Sequence, residues 1–165
     1  MDRDQFRAVQ APIKQQYIED PKLACVTLRA EGTLGENVTC SVSTGRGIVE
    51  SGLHAATGGT GQAACAGDML LQALVACAGV TFSAVATALG IEVQGGSVVA
   101  EGDLDFRGTL GVAKDAPVGF KQIRLRFLFD SNANATDRAR LLQLTERYCV
   151  VYQTIRSGSD IAIVL

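Results

Sequence analysis

The sequence has one histidine, His54, and no Cys-x-x-Cys pair among its five cysteines. Structural zinc sites use four closely spaced cysteine and histidine ligands, a pattern that this sequence does not offer. We therefore expect neither a bound metal nor another cofactor.

A strong excess of charge of either sign is also missing. Fifteen basic and seventeen acidic residues give a formal net charge of -2, and the basic residues are scattered along the chain. Such a chain has no overall electrostatic attraction to nucleic acid or to an anionic membrane. We expect neither of them as a partner.

No apolar run reaches the roughly 18 uninterrupted residues that a membrane span needs. The nearest is Leu70–Leu89, which begins two residues after Asp68. Polar or small residues interrupt it at Gln72, Gly79, Thr81, Ser83 and Thr87. The run therefore predicts a helix that is buried in protein.

The first ten residues, "MDRDQFRAVQ", are charged and lack the apolar stretch of a secretory signal. The odd number of cysteines argues against a disulfide framework. We expect a cytoplasmic protein whose cysteines are free thiols.

The composition favours one packed globular domain, since 47% of the residues are hydrophobic and 19% are charged. No internal repeat or interdomain linker is visible. Residues 1–22 are polar and contain Pro12 and Pro21, which predicts an N-terminal arm. Residues 23–165 are predicted to form the domain.

The first half of the domain alternates strand patterns with glycine-rich segments. Leu23–Gly32 and Glu36–Gly45 have strand-like, partly alternating sequences and predict a hairpin closed by the turn "GTLGE". Gly52–Gly67 consists mainly of Gly, Ala and Thr, which predicts a loop that contains His54.

A long apolar helix is predicted from Asp68 to Gly90. The Asp68 carboxylate complements the free N–H groups at its start, and Gly90 is a typical terminator. The helix is apolar nearly all round, so it needs cover on every side. A second copy of the chain would supply the cover that one small domain lacks.

The second half begins with Ile91–Gly108, which predicts two short strands or one bent strand. Gly119–Ser131 alternates as a half-buried strand does, and Asn132–Cys149 is an amphipathic helix that Thr136 can cap. A turn at 150–158 and a final strand at 160–165 follow. This order indicates an α+β fold with an antiparallel sheet packed on helices.

Cys77 lies in the middle of the apolar helix and has two interpretations. It can be a small apolar residue that fills space, or a reactive thiol with a neighbour that stabilises its thiolate. Asp68 precedes it by nine residues, which on a regular helix means nearly opposite faces and a rise of roughly 13.5 Å. Direct cooperation therefore needs a distorted first turn or a second chain.

The other cysteines have different settings. Cys149 ends the second helix, which is amphipathic, and a thiol at that boundary can approach another element. Cys25 and Cys40 lie on predicted strands and are expected to pack there, while Cys65 is expected to be a loop thiol.

Two segments together resemble the OsmC/Ohr family. "GDMLLQALVACAGVTFSAV" is similar to the central helix of that family, and "ERYCVVYQTI" is similar to its second cysteine segment. The upstream "GLHAATGGTG" resembles the glycine-rich approach to the helix. The resemblance implies an α+β fold in which an antiparallel sheet wraps around two central helices in an intertwined homodimer.

The resemblance also implies a function. The family's enzymes are thiol peroxidases that reduce organic hydroperoxides or hydrogen peroxide without a metal. By this match Cys77 is the peroxidatic thiolate, which becomes a sulfenic acid, and Cys149 resolves it as a disulfide. An external dithiol, for which a lipoylated protein is a candidate, then restores both thiols.

The chain departs from the family pattern at three places. The usual helix-start glutamate is Asp68, which we expect to be an orienting carboxylate, and the usual proline after the second cysteine is Val150. The family arginine of the first hairpin has no counterpart, and Arg46 is the candidate substitute that stabilises the thiolate. These departures keep two alternatives open: a non-catalytic relative that binds a small hydrophobic ligand, or a redox sensor.

Overall fold

The structure is a computed structural model that describes residues 3–35, 39–42, 52–61 and 64–163. The helices of this part are α1 (Arg3–Glu19), α2 (Ala66–Leu89), α3 (Phe106–Thr109), α4 (Ala135–Tyr148) and α5 (Val150–Ser157). The strands are β1 (Cys25–Gly35), β2 (Thr39–Val42), β3 (Val93–Asp105) and β4 (Gln122–Ser131). Short 3-10 turns occupy Pro21–Ala24 and Ala55–Thr57.

The four strands form one sheet in the order β2-β1-β3-β4. β1 and β2 are antiparallel, with Gly32 opposite Val42 and Gly35 opposite Thr39. The predicted hairpin is therefore present. Its turn begins later than "GTLGE" suggested, because β1 stays paired through Gly35.

β3 and β4 also run in opposite directions. The Asp103 carbonyl accepts a hydrogen bond from the Lys121 N–H at 2.8 Å, whereas the earlier Gly96 lies against the later Leu128. Ile91–Gly108 thus contains one long strand, one of the two predicted possibilities. The α+β class with an antiparallel sheet is confirmed, while the wrapping around two helices and the intertwined dimer stay predictions.

The chain divides into two compact units, of which the first comprises residues 1–29, 44–71 and 101–124. The predicted polar arm is largely helical here, since α1 continues through Pro12. Tyr17 of α1 is buried, and its hydroxyl donates a hydrogen bond to the Ala56 carbonyl. This contact anchors the end of α1 to the turn around His54.

A polar contact links strands within this first unit. The Asp103 carboxylate accepts hydrogen bonds from the Arg124 guanidinium and, at 2.6 Å, from the Thr27 hydroxyl. The Arg124 hydrogen bond is the main reason why the pKa of Asp103 lies well below its usual range. The contact therefore joins β1, β3 and β4 by side chains as well as by the backbone.

The second unit comprises residues 30–43, 72–100 and 125–165, and its core is built on α2. The Phe82 ring stacks on Phe127 with centroids 5.2 Å apart and meets Phe129 edge-on at 4.8 Å. Leu141 of α4 completes the same buried cluster. α2 ends as predicted, because Gly90 adopts the left-handed conformation with φ 68°.

One face of α2 in this unit is exposed in the part of the chain that the structure describes. Ala73, Val80 and Ala84 recur at helical spacing and are exposed, and Cys77 lies among them, half-buried. α2 is long and apolar enough to cross a membrane. The core helix of a soluble protein can have the same length and composition. The burial of Phe82 against β4 is typical of such a core helix.

The C-terminal part differs from three predictions. Asn134, not Thr136, caps α4, because its side-chain oxygen accepts the Asp137 N–H at 2.9 Å. The predicted turn after Cys149 is the helix α5. Residues 160–163 alternate between polar and apolar positions but form no strand, since none of the described strands pairs with them.

Candidate active site: two thiols at the start of α5

The structure brings Cys77 and Cys149 together within the second unit. The Cys149 thiol donates a hydrogen bond to the Cys77 sulfur. Cys149 is buried with 1% of its surface exposed, while Cys77 is half-buried on α2. The two thiols are therefore neighbours, as a disulfide between them would require.

Cys149 owes its position to a break between two helices. It ends α4 and is the N-cap of α5, in an extended conformation with φ -73° and ψ 107°. Its sulfur accepts the Tyr152 N–H at 3.5 Å, and its carbonyl accepts the Gln153 N–H at 2.9 Å. The sulfur thus takes the place that a Ser, Thr, Asp or Asn oxygen usually fills at a helix start.

The thiolate form of Cys77 is stabilised by hydrogen-bond donors. Burial alone would raise the pKa of this thiol. The N–H groups of Val151 and Val150, the Cys149 thiol and the Thr81 hydroxyl outweigh that effect and hold its pKa below the ordinary value. Val150 and Val151 open α5, so Cys77 faces the positive end of a helix.

The pKa of Cys149 is shifted in the opposite direction. Burial is the main cause that raises its pKa to about 11, and the adjacent Cys77 thiolate adds to this although the Tyr152 N–H opposes it. Cys77 therefore ionises at a lower pH than Cys149. This asymmetry suits Cys77 to nucleophilic attack and Cys149 to a later role.

The Thr81 hydroxyl offers a direct test of this electrostatic picture. Thr81→Val removes one donor with little change of shape, so the pKa of Cys77 is expected to rise. Because such a hydrogen bond contributes about 1 kcal/mol, alkylation of Cys77 at neutral pH should slow by roughly three- to tenfold. The measurement is the rate of iodoacetamide labelling against pH, read by peptide mass spectrometry.

Thr87→Val is the matched control, since the Thr87 hydroxyl bonds to the Ser83 carbonyl at 2.9 Å on the same helix. Equal slowing in both variants, or no slowing at Thr81, would contradict the assigned donor.

Asp68 lies in the first turn of α2, within the first unit. Burial raises its pKa, and the positive charge of His54 opposes that shift. α2 is unbroken from Ala66 to Leu89, so the distorted first turn that direct contact with Cys77 on one chain would need is absent. Arg46, the other predicted member of the site, lies outside the described residues.

Sequence reasoning missed Thr81, Val150 and Val151. The signal for Thr81 was available, because it follows Cys77 by four residues and so lies on the same helix face. The two valines act through their backbone, which depends on α5 rather than on their side chains. Cys25 is an exposed free thiol and Cys65 a half-buried one, and both belong to the first unit.

Within the described residues, no three His, Cys, Asp or Glu side chains could hold a metal ion together. The donors around the candidate site are one sulfhydryl, one hydroxyl and two backbone N–H groups. These suit an anionic sulfur or an oxygen that develops negative charge.

The sequence profile of the OsmC-like protein family matches residues 59–164. Among solved structures, the chain is similar to an OsmC-like hydroperoxide resistance protein from Jannaschia sp. CCS1, with a TM-score of 0.58 and 16% identity. That similarity covers 84% of this chain and 91% of the other, and shows a shared fold. No curated protein matches the sequence.

Proposed function

Because the chain belongs to the OsmC-like protein family, we propose that it is a thiol peroxidase that reduces hydroperoxides. The observation that carries the proposal is the contact between an ionisable Cys77 and a protonated Cys149 at the start of α5. The Cys77 thiolate attacks one peroxide oxygen, and the O–O bond breaks. Cys77 becomes a sulfenic acid, while the other oxygen takes a proton and leaves as an alcohol or water.

Cys149 completes the cycle in this proposal. Its sulfur attacks the Cys77 sulfenic acid, a disulfide forms, and the hydroxyl leaves as water with the Cys149 proton. An external dithiol then reduces the disulfide and is itself oxidised, and a lipoylated protein is a candidate for this reductant. Such a cycle belongs in a reducing compartment, and we place it in the cytoplasm.

A formal cation is not needed for the first step in this scheme, because α5 supplies two N–H donors to the reactive sulfur. Arg46 remains a candidate for additional charge. Asp68 is proposed to orient the site from a second copy, since the unbroken α2 keeps it from Cys77 of its own chain.

The proposed assembly is a homodimer. Ala73, Val80 and Ala84 form an exposed apolar face on α2 that includes the reactive thiol, and a second copy would cover it. Covering this face would also exclude water from Cys77 and leave apolar walls for an organic hydroperoxide.

Sedimentation velocity tests this assembly. The wild-type protein is expected to sediment as a dimer, and Val80→Glu should shift it to monomers because it places a charge in the contact. Val118→Glu is the matched control, since Val118 is exposed on a loop of the first unit. A monomeric wild type, or a Val80→Glu variant that stays dimeric at low concentration, would contradict the proposed contact.

The reaction itself is tested by mixing reduced protein with cumene hydroperoxide or hydrogen peroxide in a stopped-flow instrument. The expected result is fast consumption of about one peroxide per chain, followed by slower cycling when a dithiol is present. Intact mass spectrometry should then show the loss of two hydrogens. A reduced protein that consumes neither peroxide would overturn the proposal.

A further inference from the structure

The break between α4 and α5 changes the partners of three backbone N–H groups. In an unbroken helix each N–H donates to the carbonyl four residues earlier, so these groups would bond to the last carbonyls of α4. Here the Tyr152 N–H donates to the Cys149 sulfur at 3.5 Å. The N–H groups of Val150 and Val151 donate to the Cys77 sulfur. The break therefore supplies the donors that surround the candidate active site.

The helical hydrogen bonds on both sides of the break are intact. The Cys149 N–H donates to the Thr145 carbonyl at 3.0 Å, and the Gln153 N–H donates to the Cys149 carbonyl at 2.9 Å. Val150 has an N–H group, so the chain could continue through this position as one helix. A rotation of the backbone at Cys149 would return the Val150 N–H to the Glu146 carbonyl. The candidate active site would then lose donors.

The Gln153 side chain occupies the Glu146 carbonyl instead. Its Nε2 donates to that oxygen at 2.7 Å, over a separation of seven residues along the chain. Glu146 belongs to the last turn of α4, whose carbonyls lose their intrahelical donors where the helix ends. The amide therefore replaces the donor that the break removes, and it ties α5 to α4 in the bent arrangement. Both residues belong to the second unit.

We propose that Gln153 is a positioning residue: its amide holds the last turn of α4 so that the first N–H groups of α5 stay directed at Cys77. It acts through the backbone of α5 and takes no part in bond making. The consequence for catalysis rests on the proposed peroxidase function, in which those N–H groups stabilise the Cys77 thiolate. Loss of the amide would then slow the attack on peroxide although both thiols remain.

Gln153→Met tests this role, because it keeps the length of an uncharged side chain and removes the donor. The Glu146 carbonyl is then open to the Val150 N–H, so Cys77 should lose donors and its pKa should rise. Iodoacetamide labelling of Cys77 at neutral pH should slow by roughly threefold or more, and the pH midpoint of labelling should move upward. Gln143→Met, at an exposed position of α4, is the matched control and should label as the wild type does.

A second background separates positioning from a general effect on stability. Val150→Pro removes the N–H that could return to the Glu146 carbonyl. Proline is tolerated at the first position of a helix, and the preceding Cys149 is already extended. The break then persists without the amide. Gln153→Met added to Val150→Pro should therefore leave the labelling midpoint where Val150→Pro alone places it.

Three results would overturn the positioning role. They are an unchanged midpoint in Gln153→Met, the same shift in Gln143→Met, and an equal shift with and without Val150→Pro. The labelling needs no peroxide, so a wild-type protein that reduces no peroxide defeats the proposed function and leaves this test standing. Where peroxide is reduced, the first turnover of Gln153→Met should slow in parallel with its labelling at the same pH.

Discussion

Replacing Cys77 with serine is expected to slow hydroperoxide reduction by about a thousandfold or more. A hydroxyl is a far weaker nucleophile than a thiolate at neutral pH, and the donors of α5 that stabilise a sulfur anion cannot ionise a serine to a useful extent. The change removes only the reacting atom, because oxygen replaces sulfur at a half-buried position. We therefore expect the fold to persist.

The measurement is single-turnover stopped-flow consumption of cumene hydroperoxide and of hydrogen peroxide by reduced protein. Cys65→Ser and Cys25→Ser are the matched controls, since both thiols are free and lie in the first unit. They should consume peroxide at the wild-type rate. A Cys77→Ser variant that matches the wild type would remove the basis of the peroxidase assignment.

The second large effect is expected from Cys149→Ser, which should separate the two steps of the cycle. Serine is a good N-cap, so α5 and its N–H donors should remain in place, and the serine hydroxyl can still donate to Cys77. The first reaction with peroxide should then stay within a few-fold of the wild-type rate. Continued turnover with a dithiol should fall by at least about tenfold, since no internal disulfide can form.

Intact mass spectrometry distinguishes the products. The oxidised wild type should lose two hydrogens, whereas Cys149→Ser should gain one oxygen that a dione reagent captures as a sulfenic acid adduct. Wild-type cycling in the variant would show that another group resolves Cys77, and Cys65→Ser in the same background would then test that thiol.

The central helix could be predicted because its signals are local. The apolar run predicts the helix without any information from distant residues. Gly90 adopts the left-handed conformation expected of the glycine that ends it. The contact between Cys77 and Cys149, in contrast, joins residues 72 positions apart. It was expected only through the family resemblance, because helix spacing alone says nothing about it.

The errors have separate physical causes. α5 is rich in β-branched residues that disfavour helices slightly, and its start is fixed by the Cys149 cap. α1 continues through Pro12 and is anchored by Tyr17, although an interior proline usually breaks a helix. Residues 160–163 alternate as a strand does, but none of the described strands pairs with them.

The long separation of the two thiols along the chain has a thermodynamic consequence. A bond between Cys77 and Cys149 would close a loop of 72 residues, and the entropy that it removes from the unfolded chain corresponds to about 4 kcal/mol. The disulfide form of the protein would then resist heat and denaturant better than the reduced form. Each turnover would alternate between a less stable reduced form and a more stable disulfide form, and the melting temperature would report the oxidised fraction of the protein.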